Sequence, residues 1–267
     1  MQEVAVDGHR SGRSHVRRLP RVGCKVRVAG LGCAAAIWAV PCSAASIGVD
    51  PTLLQLTAMR PSTVLRISNM GEATVRMQVR LMAWRVAPDG ATQTETDTDE
   101  LLLNPPIVSI EPRRTQAIRL GVRQYGAGHT ERAYRVVLEE VPPAEQSESM
   151  GVVTLLRVSV PLFVLPQAAQ AALGWRVQCS AGAARLVAAN DGNVHARLLG
   201  MRLVSEQAGS QPPLLSEGLA YVLPGQRRVW PLAAAALSVG ALRLHIRDEA
   251  GQRDDVVPVE ADCSVTR

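Results

Sequence analysis

Outside the first 45 residues, the side chains that could carry chemistry of their own are three histidines, two cysteines and one acidic run. His129 lies in a glycine-rich turn, whereas His195 and His245 stand in strand-like runs beside arginines and leucines. General acid–base catalysis needs a second group within hydrogen-bond reach. No local spacing supplies one, so a structural or surface role is the better reading of each histidine. No G-x-S-x-G, H-E-x-x-H, P-loop or dinucleotide fingerprint occurs. The run Glu95-Thr96-Asp97-Thr98-Asp99-Glu100 has carboxylates enough for calcium, but it lacks the glycine and the terminal bidentate glutamate of a calcium loop. A solvated loop is expected there. With no C-x-x-C and no Cys/His cluster, zinc is not expected. The residues point to a binding module without metal or cofactor, not to an enzyme.

Charge and export come next. The chain has 267 residues, a net charge of +5 and a pI near 9.3. Its first 45 residues hold seven basic side chains (Arg10, Arg13, Arg17, Arg18, Arg21, Lys25 and Arg27) against Glu3 and Asp7, which accounts for the whole +5. The remaining chain is neutral and contains no lysine, so a phosphate-neutralising surface is disfavoured. Aromatic residues make up 3 %, too few for base-stacking platforms. The basic run is followed by VAGLGCAAAIWAV (28–40), Pro41 and the small-residue tract Cys42-Ser43-Ala44-Ala45. That order is expected of a secretory signal peptide, residues 1–45, cleaved after Ala45 or Ala44. A membrane-retained anchor is the alternative, although the apolar run is shorter than the roughly 20 residues of a spanning helix. Export leaves Cys179 and Cys263, an even number in an oxidising compartment. One disulfide closing a long loop is expected, with two buried thiols as the alternative.

The elements that must position these residues read as strands. Residues 62–69 (STVLRISN) and 74–84 (TVRMQVRLMAW) alternate apolar and polar side chains, the pattern of half-buried antiparallel strands. Further runs cover 116–122, 132–140 and 152–165, separated by turn clusters such as Pro88-Asp89-Gly90. The charge-free segment 166–174 (PQAAQAALG) reads as a linker, with room for one helical turn. A second series follows at 175–180, 184–190, 194–205, 227–232, 241–246 and 255–263. Asn190-Asp191-Gly192-Asn193 reads as a hairpin turn between two of these. The expectation is an all-β chain of two β-sandwich domains, 46–165 and 175–267.

Three segments are more specific than that. RISNMGEATVRMQVRLMAW (66–84), LLLNPPIVSIEPRRTQAIRL (101–120) and ERAYRVVLEEVPP (131–143) resemble the periplasmic pilus chaperones of the PapD-like family. The resemblance rests on Asn69-x-Gly71, Trp84, Asn104-Pro105-Pro106, Pro112, Gln116-x-x-Arg119, and Tyr134-Arg135 with Glu140-Val141-Pro142. It covers the first domain, while the second is matched by position, size and β-content. It implies two immunoglobulin-like sandwiches in an L-shaped arrangement. It also implies a periplasmic protein that binds pilin subunits by lending them a strand and passes them to an outer-membrane usher. No nucleic acid and no stable membrane insertion of the mature chain are implied. The lent strand would be 152–164, with Val152, Thr154 and Leu156 entering the subunit groove. Val158 and Val160 share their parity and either follow them or pack at home. The best-studied branch anchors the subunit's terminal carboxylate with an arginine and a lysine, whose positions fall near Leu53 and on Pro161. Arg119, Arg132 and Arg135 are candidate replacements, with surface or intradomain pairing as their alternative. The family's interdomain arginine is replaced by Leu165. The RVSVPLF run (157–163) resembles the archaic or alternative branch, whose subunits are of spore-coat-U type. The competing reading is a secreted structural or adhesive protein built of two immunoglobulin-like domains.

Overall fold

The computed structural model describes residues 46–126, 128–142, 154–180, 183–205, 213–232 and 242–259. The expected leader, Val152 and Cys263 lie outside them. The described residues are all-β, and none is helical. The described residues belong to one compact unit.

The first sandwich is built from β1 (Ile47–Asp50), β2 (Leu54–Leu56), β3 (Ser62–Asn69), β4 (Val75–Val86), β5 (Gln93–Asp97), β6 (Leu101–Asn104), β7 (Ile107–Ile110), β8 (Thr115–Val122), β9 (Arg132–Glu140) and β10 (Arg157–Val164). One sheet runs β1-β3-β8-β6. The other runs β2-β10-β9-β4-β5, with β7 also pairing β4. The second sandwich uses β11 (Leu173–Ser180), β12 (Ala183–Asn190), β13 (Ala196–Ser205), β14 (Leu215–Glu217), β15 (Ala220–Val222), β16 (Arg227–Leu232), β17 (Leu242–Asp248) and β18 (Gly251–Val257). Its sheets run β11-β12-β16 and β14-β13-β17-β18, with β15 also pairing β13.

Alternation explains the cores. In β4, Val75, Met77, Val79 and Leu81 are buried while Arg76 and Gln78 are exposed. Their inward set meets Leu65, Ile67, Ile118 and Leu120 from the opposite sheet. Each such side chain stabilises the fold by about 1.5–3 kcal/mol on full burial. The second core repeats the arrangement with Leu186, Leu198, Leu203, Leu244 and Ile246. Cys179 on β11 is disulfide-bonded and packs against this core.

Three expectations need correction. The last strand of the first sandwich is shorter than 152–165: β10 begins at Arg157, and residues 154–156 are not in a strand. The acidic run is not simply a loop, because Glu95–Asp97 belong to the edge strand β5, all of whose residues are exposed. Residues 190–193 do not close a hairpin. They carry the chain across from β12 in one sheet to β13 in the other. Local turn chemistry is the same in both cases, and the side chain of Asn190 makes the difference.

That side chain is 1 % exposed. Its Nδ2 donates to the carbonyls of Val194 and Val222 at 2.7 and 2.9 Å, and its Oδ1 accepts from the Gly192 amide at 3.0 Å. Gly192 is required there, since a Cβ would lie 2.2 Å from the Gln170 carbonyl oxygen. The first sandwich has the same device between β3 and β4. Asn69 Nδ2 donates to the Ala73 and Ile110 carbonyls at 2.8 and 2.9 Å, and Oδ1 accepts from the Gly71 amide at 2.9 Å. Asn69→Ala strands these buried groups at about 1–3 kcal/mol for each group left without a partner. Urea unfolding of the variant should show a loss of about 3 kcal/mol. An unchanged midpoint would contradict the assignment.

Candidate functional site

The site is an edge. β10 pairs with β9 along its whole length, from Arg157 opposite Glu139 to Val164 opposite Arg132. On its other side β2 runs parallel to it, over Leu162–Val164 only. Residues 157–161 therefore present about 16 Å of strand edge to which no described strand is bonded. Unpaired strand edges recruit other strands.

Side-chain parity follows from the same register. Val160, Leu162 and Val164 are buried in the first core, and Val158 packs against it. Val160 is thus packed at home, with the partly buried Val158 against the same core. Leu156 continues that parity beyond the strand and is half-buried. Its carbonyl accepts from the Glu140 amide at 2.9 Å, and its own amide donates to Glu140 Oε2 at 3.1 Å. Thr154 is exposed, and so is Leu155, at 47 %. Of the five expected groove residues, the described ones not committed to the core are Thr154 and Leu156.

The opposite face of β10 carries charge. Arg157 pairs with Glu95 at 3.2 Å and with Glu139 at 3.5 Å, and Arg80 pairs with Glu139 at 3.1 Å. These pairs are partly exposed and individually weak. Together they hold β5, β4, β9 and the start of β10 in register.

The three candidate arginines separate clearly. Arg119 is exposed on β8, in the sheet that does not contain β10. Arg132 is engaged, donating to Glu100 at 2.6 Å. Arg135 stands directly opposite Pro161 in the β9–β10 register, while Arg132 stands opposite Val164 at its far end. Its guanidinium lies 3.7 Å from the centre of the Trp84 ring, and Nη2 donates to Gln93 Oε1 at 3.3 Å. Its Nε is buried without a partner among the described residues. Burial pushes its ionisation down, and the positive charge of Arg228 on β16 acts in the same direction. Burial likewise lowers Arg228. Two part-buried cations from different sandwiches thus share one neighbourhood, with Glu95 the carboxylate whose charge opposes the shift of Arg135. Sequence reasoning missed Arg228, which no local motif marks. Pro161 itself is buried, and Leu53 packs against Trp84 and Phe163, so both expected cation positions are filled by apolar contact.

Trp84, Phe163, Tyr221 and Leu223 form a small core between the sandwiches, with Leu165 packed against it. Trp84 meets Tyr221 edge-on at 5.7 Å, and Phe163 stacks on the His195 ring at 3.7 Å. Backbone bonds reinforce it. The Val229 amide donates to the Gly90 carbonyl at 2.8 Å, and the Val86 amide donates to Gln226 Oε1 at 2.8 Å. Gly90 has φ of 71°, and a Cβ there would lie 2.7 Å from Val229 Cγ2. His195 is thus packed into this contact between the sandwiches.

Among the described residues no helix is long and apolar enough to cross a membrane, and no group of three or more His, Cys, Asp or Glu could hold a metal.

Comparison with known proteins adds four findings. Residues 46–170 match the family model described as pili and flagellar-assembly chaperone, PapD N-terminal domain. The chain is 30 % identical over 152 residues to the chaperone protein FimB/FhaD of Bordetella pertussis, an alignment spanning 54 % of this chain and 60 % of that one. Its fold resembles a chain of the CsuC–CsuE chaperone–tip adhesion subunit pre-assembly complex from archaic chaperone-usher Csu pili of Acinetobacter baumannii. The TM-score is 0.62 at 20 % identity, covering 80 % of this chain and 99 % of that one. A chain of the Salmonella enterica SafA pilin–SafB chaperone complex aligns with a TM-score of 0.55 at 17 % identity, covering 79 % and 96 %.

Glu100 tests the local electrostatics. The Tyr134 hydroxyl donates to it at 2.7 Å and, with Arg132, holds its carboxyl below the usual carboxylate range. Stability from a depressed carboxyl is present above its unfolded value and is lost as pH falls through the folded one. Tyr134→Phe should move the Glu100 titration up toward the ordinary range by carboxyl NMR and narrow that acid window. An unmoved titration would contradict the assignment.

Proposed function

We propose that this chain, which resembles the PapD-like pilus chaperones along its first sandwich, is a periplasmic chaperone for pilin subunits. In this reading it binds a subunit by adding the edge of β10 and residues 152–156 to the subunit's incomplete sheet, then delivers it to an outer-membrane usher. The observation that carries the reading is the edge itself, five residues of β10 whose outer side has no described strand partner, running on into a segment where Leu155 is exposed and Leu156 half-buried. Main-chain pairing supplies affinity in such strand addition, and alternate side chains supply specificity. Val152, Thr154 and Leu156 fill the subunit groove, while Val158 and Val160 join the groove filling to the chaperone's own core. Arg135 with Arg228 seats the subunit's terminal carboxylate in place of the missing lysine, since a buried carboxylate needs a cation or N–H donors. The reading includes export by the 1–45 leader.

Leu156→Glu should abolish co-purification of a co-expressed subunit while leaving the thermal transition of the chaperone in place. Normal complex yield from a folded variant would overturn the donor-strand assignment. Self-association without any soluble subunit complex would favour the adhesive alternative.

The disulfide of Cys179 is proposed to close on Cys263. Peptide mass spectrometry without reductant should find the two linked, and a free Cys263 thiol in the periplasmic protein would contradict it.

A further inference from the structure

The open edge of β10 has a beginning as well as a length, and one side chain sets it. At the start of the strand the Glu140 amide donates to the Leu156 carbonyl at 2.9 Å, as an antiparallel ladder requires. The return bond is different. The Leu156 amide donates to the carboxylate, Glu140 Oε2, at 3.1 Å. In a regular pair two facing residues exchange both bonds through their main chains. Here the side chain of Glu140 stands in for its own carbonyl, and β10 begins at the next residue, Arg157.

The direction of the peptide groups follows. The main chain of Leu156 faces β9, so by alternation that of Arg157, Ser159 and Pro161 faces the open side. The Leu165 amide, of this outward parity, bonds the Leu56 carbonyl of β2 at 2.9 Å, as the alternation demands. Arg157 and Ser159 thus offer an amide and a carbonyl each, and Pro161 a carbonyl alone. The Leu155–Leu156 peptide is trans, so its N–H and C=O point to opposite sides. Its N–H is held by Glu140, which leaves the Leu155 carbonyl on the open side.

We propose that Glu140 is a positioning residue for strand lending: by holding the Leu156 amide, its carboxylate turns the Leu155 carbonyl outward and extends the set edge one acceptor past the end of β10. The assignment rests on the reading of β10 as the lent strand.

The surroundings leave Glu140 to this task. It continues the inward parity of Tyr134, Val136 and Leu138 at the rim of the first core. Its neighbour Glu139 faces the other way and is taken by Arg80 and Arg157. Among the described residues no cation pairs with Glu140, and no donor reaches the Leu155 carbonyl. A carboxylate is also the stronger acceptor for an amide at an exposed strand end. A peptide already turned toward its partner costs less order on pairing.

Hydrogen exchange at the Leu156 amide reads the bond in the free protein, with the central Val136 amide of β9 as a control. Glu140→Ala should lower Leu156 protection by about tenfold, the scale of one hydrogen bond, and leave Val136 unchanged. Glu140→Gln keeps an acceptor oxygen and should keep most of the protection. Wild type and variant, carrying different affinity tags, are then co-expressed with a limiting amount of one pilin subunit. An edge that is competent only part of the time binds more weakly by that fraction. The subunit should therefore favour the wild type over Glu140→Ala by up to about tenfold, and divide nearly evenly between wild type and Glu140→Gln. In the wild type alone, the carbonyl carbon resonance of Leu155 should shift when the subunit binds, a measurement that stands even if a variant fails to fold. Equal Leu156 protection in wild type and Glu140→Ala, an even division between those two, a Glu140→Gln protein as impaired as Glu140→Ala, or an unmoved Leu155 resonance in a formed complex would each overturn the assignment. A wild type that takes no subunit would overturn the chaperone reading, and the lending role with it, while the exchange result for the Leu156 amide would stand apart.

Discussion

A β-strand edge is a row of amides and carbonyls that must be bonded to something. The structure turns on how little of β10 is bonded on its outer side. β2 covers three of its residues and stops. Everything else about the first sandwich keeps the remaining stretch presentable. β9 holds the inner side along its full length, the inward parity is anchored by Val160, Leu162 and Val164, and the outward parity is laced by Arg157, Glu95 and Glu139. The strand is held along its inner side and open on its outer side over residues 157–161. A strand already held in place costs little further order on pairing.

The second sandwich bears on that edge through Phe163. This residue belongs to β10, yet its ring packs on Trp84, Tyr221 and His195 and not in the first core. The strand thus has two sides with different clients, its even residues serving its own sandwich and Phe163 serving the neighbouring one. The turn at Gly90 lies against β16 and holds Arg228 near Arg135. The relative placement of the sandwiches is therefore part of the charge distribution beside the edge, and is not only a matter of packing.

Much of this was legible in the residues. The alternation of Val75, Met77, Val79 and Leu81 announced β4, and 62–69 and 132–140 coincide with β3 and β9. The parity of Leu156, Val158 and Val160 was also plain. What failed were features that local pattern does not encode. β5 is Gln-Thr-Glu-Thr-Asp, a strand without one apolar side chain, whose described backbone ladder is to β4. The turn after Asn190 has hairpin chemistry but changes sheets, because burial of the asparagine side chain pins it between them. Arg119, Arg132 and Arg135 look alike in sequence, and only register places Arg135 opposite Pro161. Glu131 Oε2 and His195 Nδ1 meet at 2.7 Å across 64 residues of sequence, and nothing in either neighbourhood names the other.

The asparagine device recurs at the same corner of both sandwiches, and each sandwich also ends with a strand touched by a parallel neighbour: β2 beside β10, and a bridge from Val177 to Val259 just past β18. The molecule is in plan one pattern laid down twice. A repeated pattern repeats its hazards, so two exposed final edges would be two places for wrong partners to dock. The repeats differ on that point. Along β18 run Arg253, Asp254 and Asp255; Arg253 pairs with Asp248 and Asp254 with His245 across the hairpin, Asp255 pairs with Arg253 along the strand, and such charge discourages strand addition. The chain keeps one open socket by closing its twin.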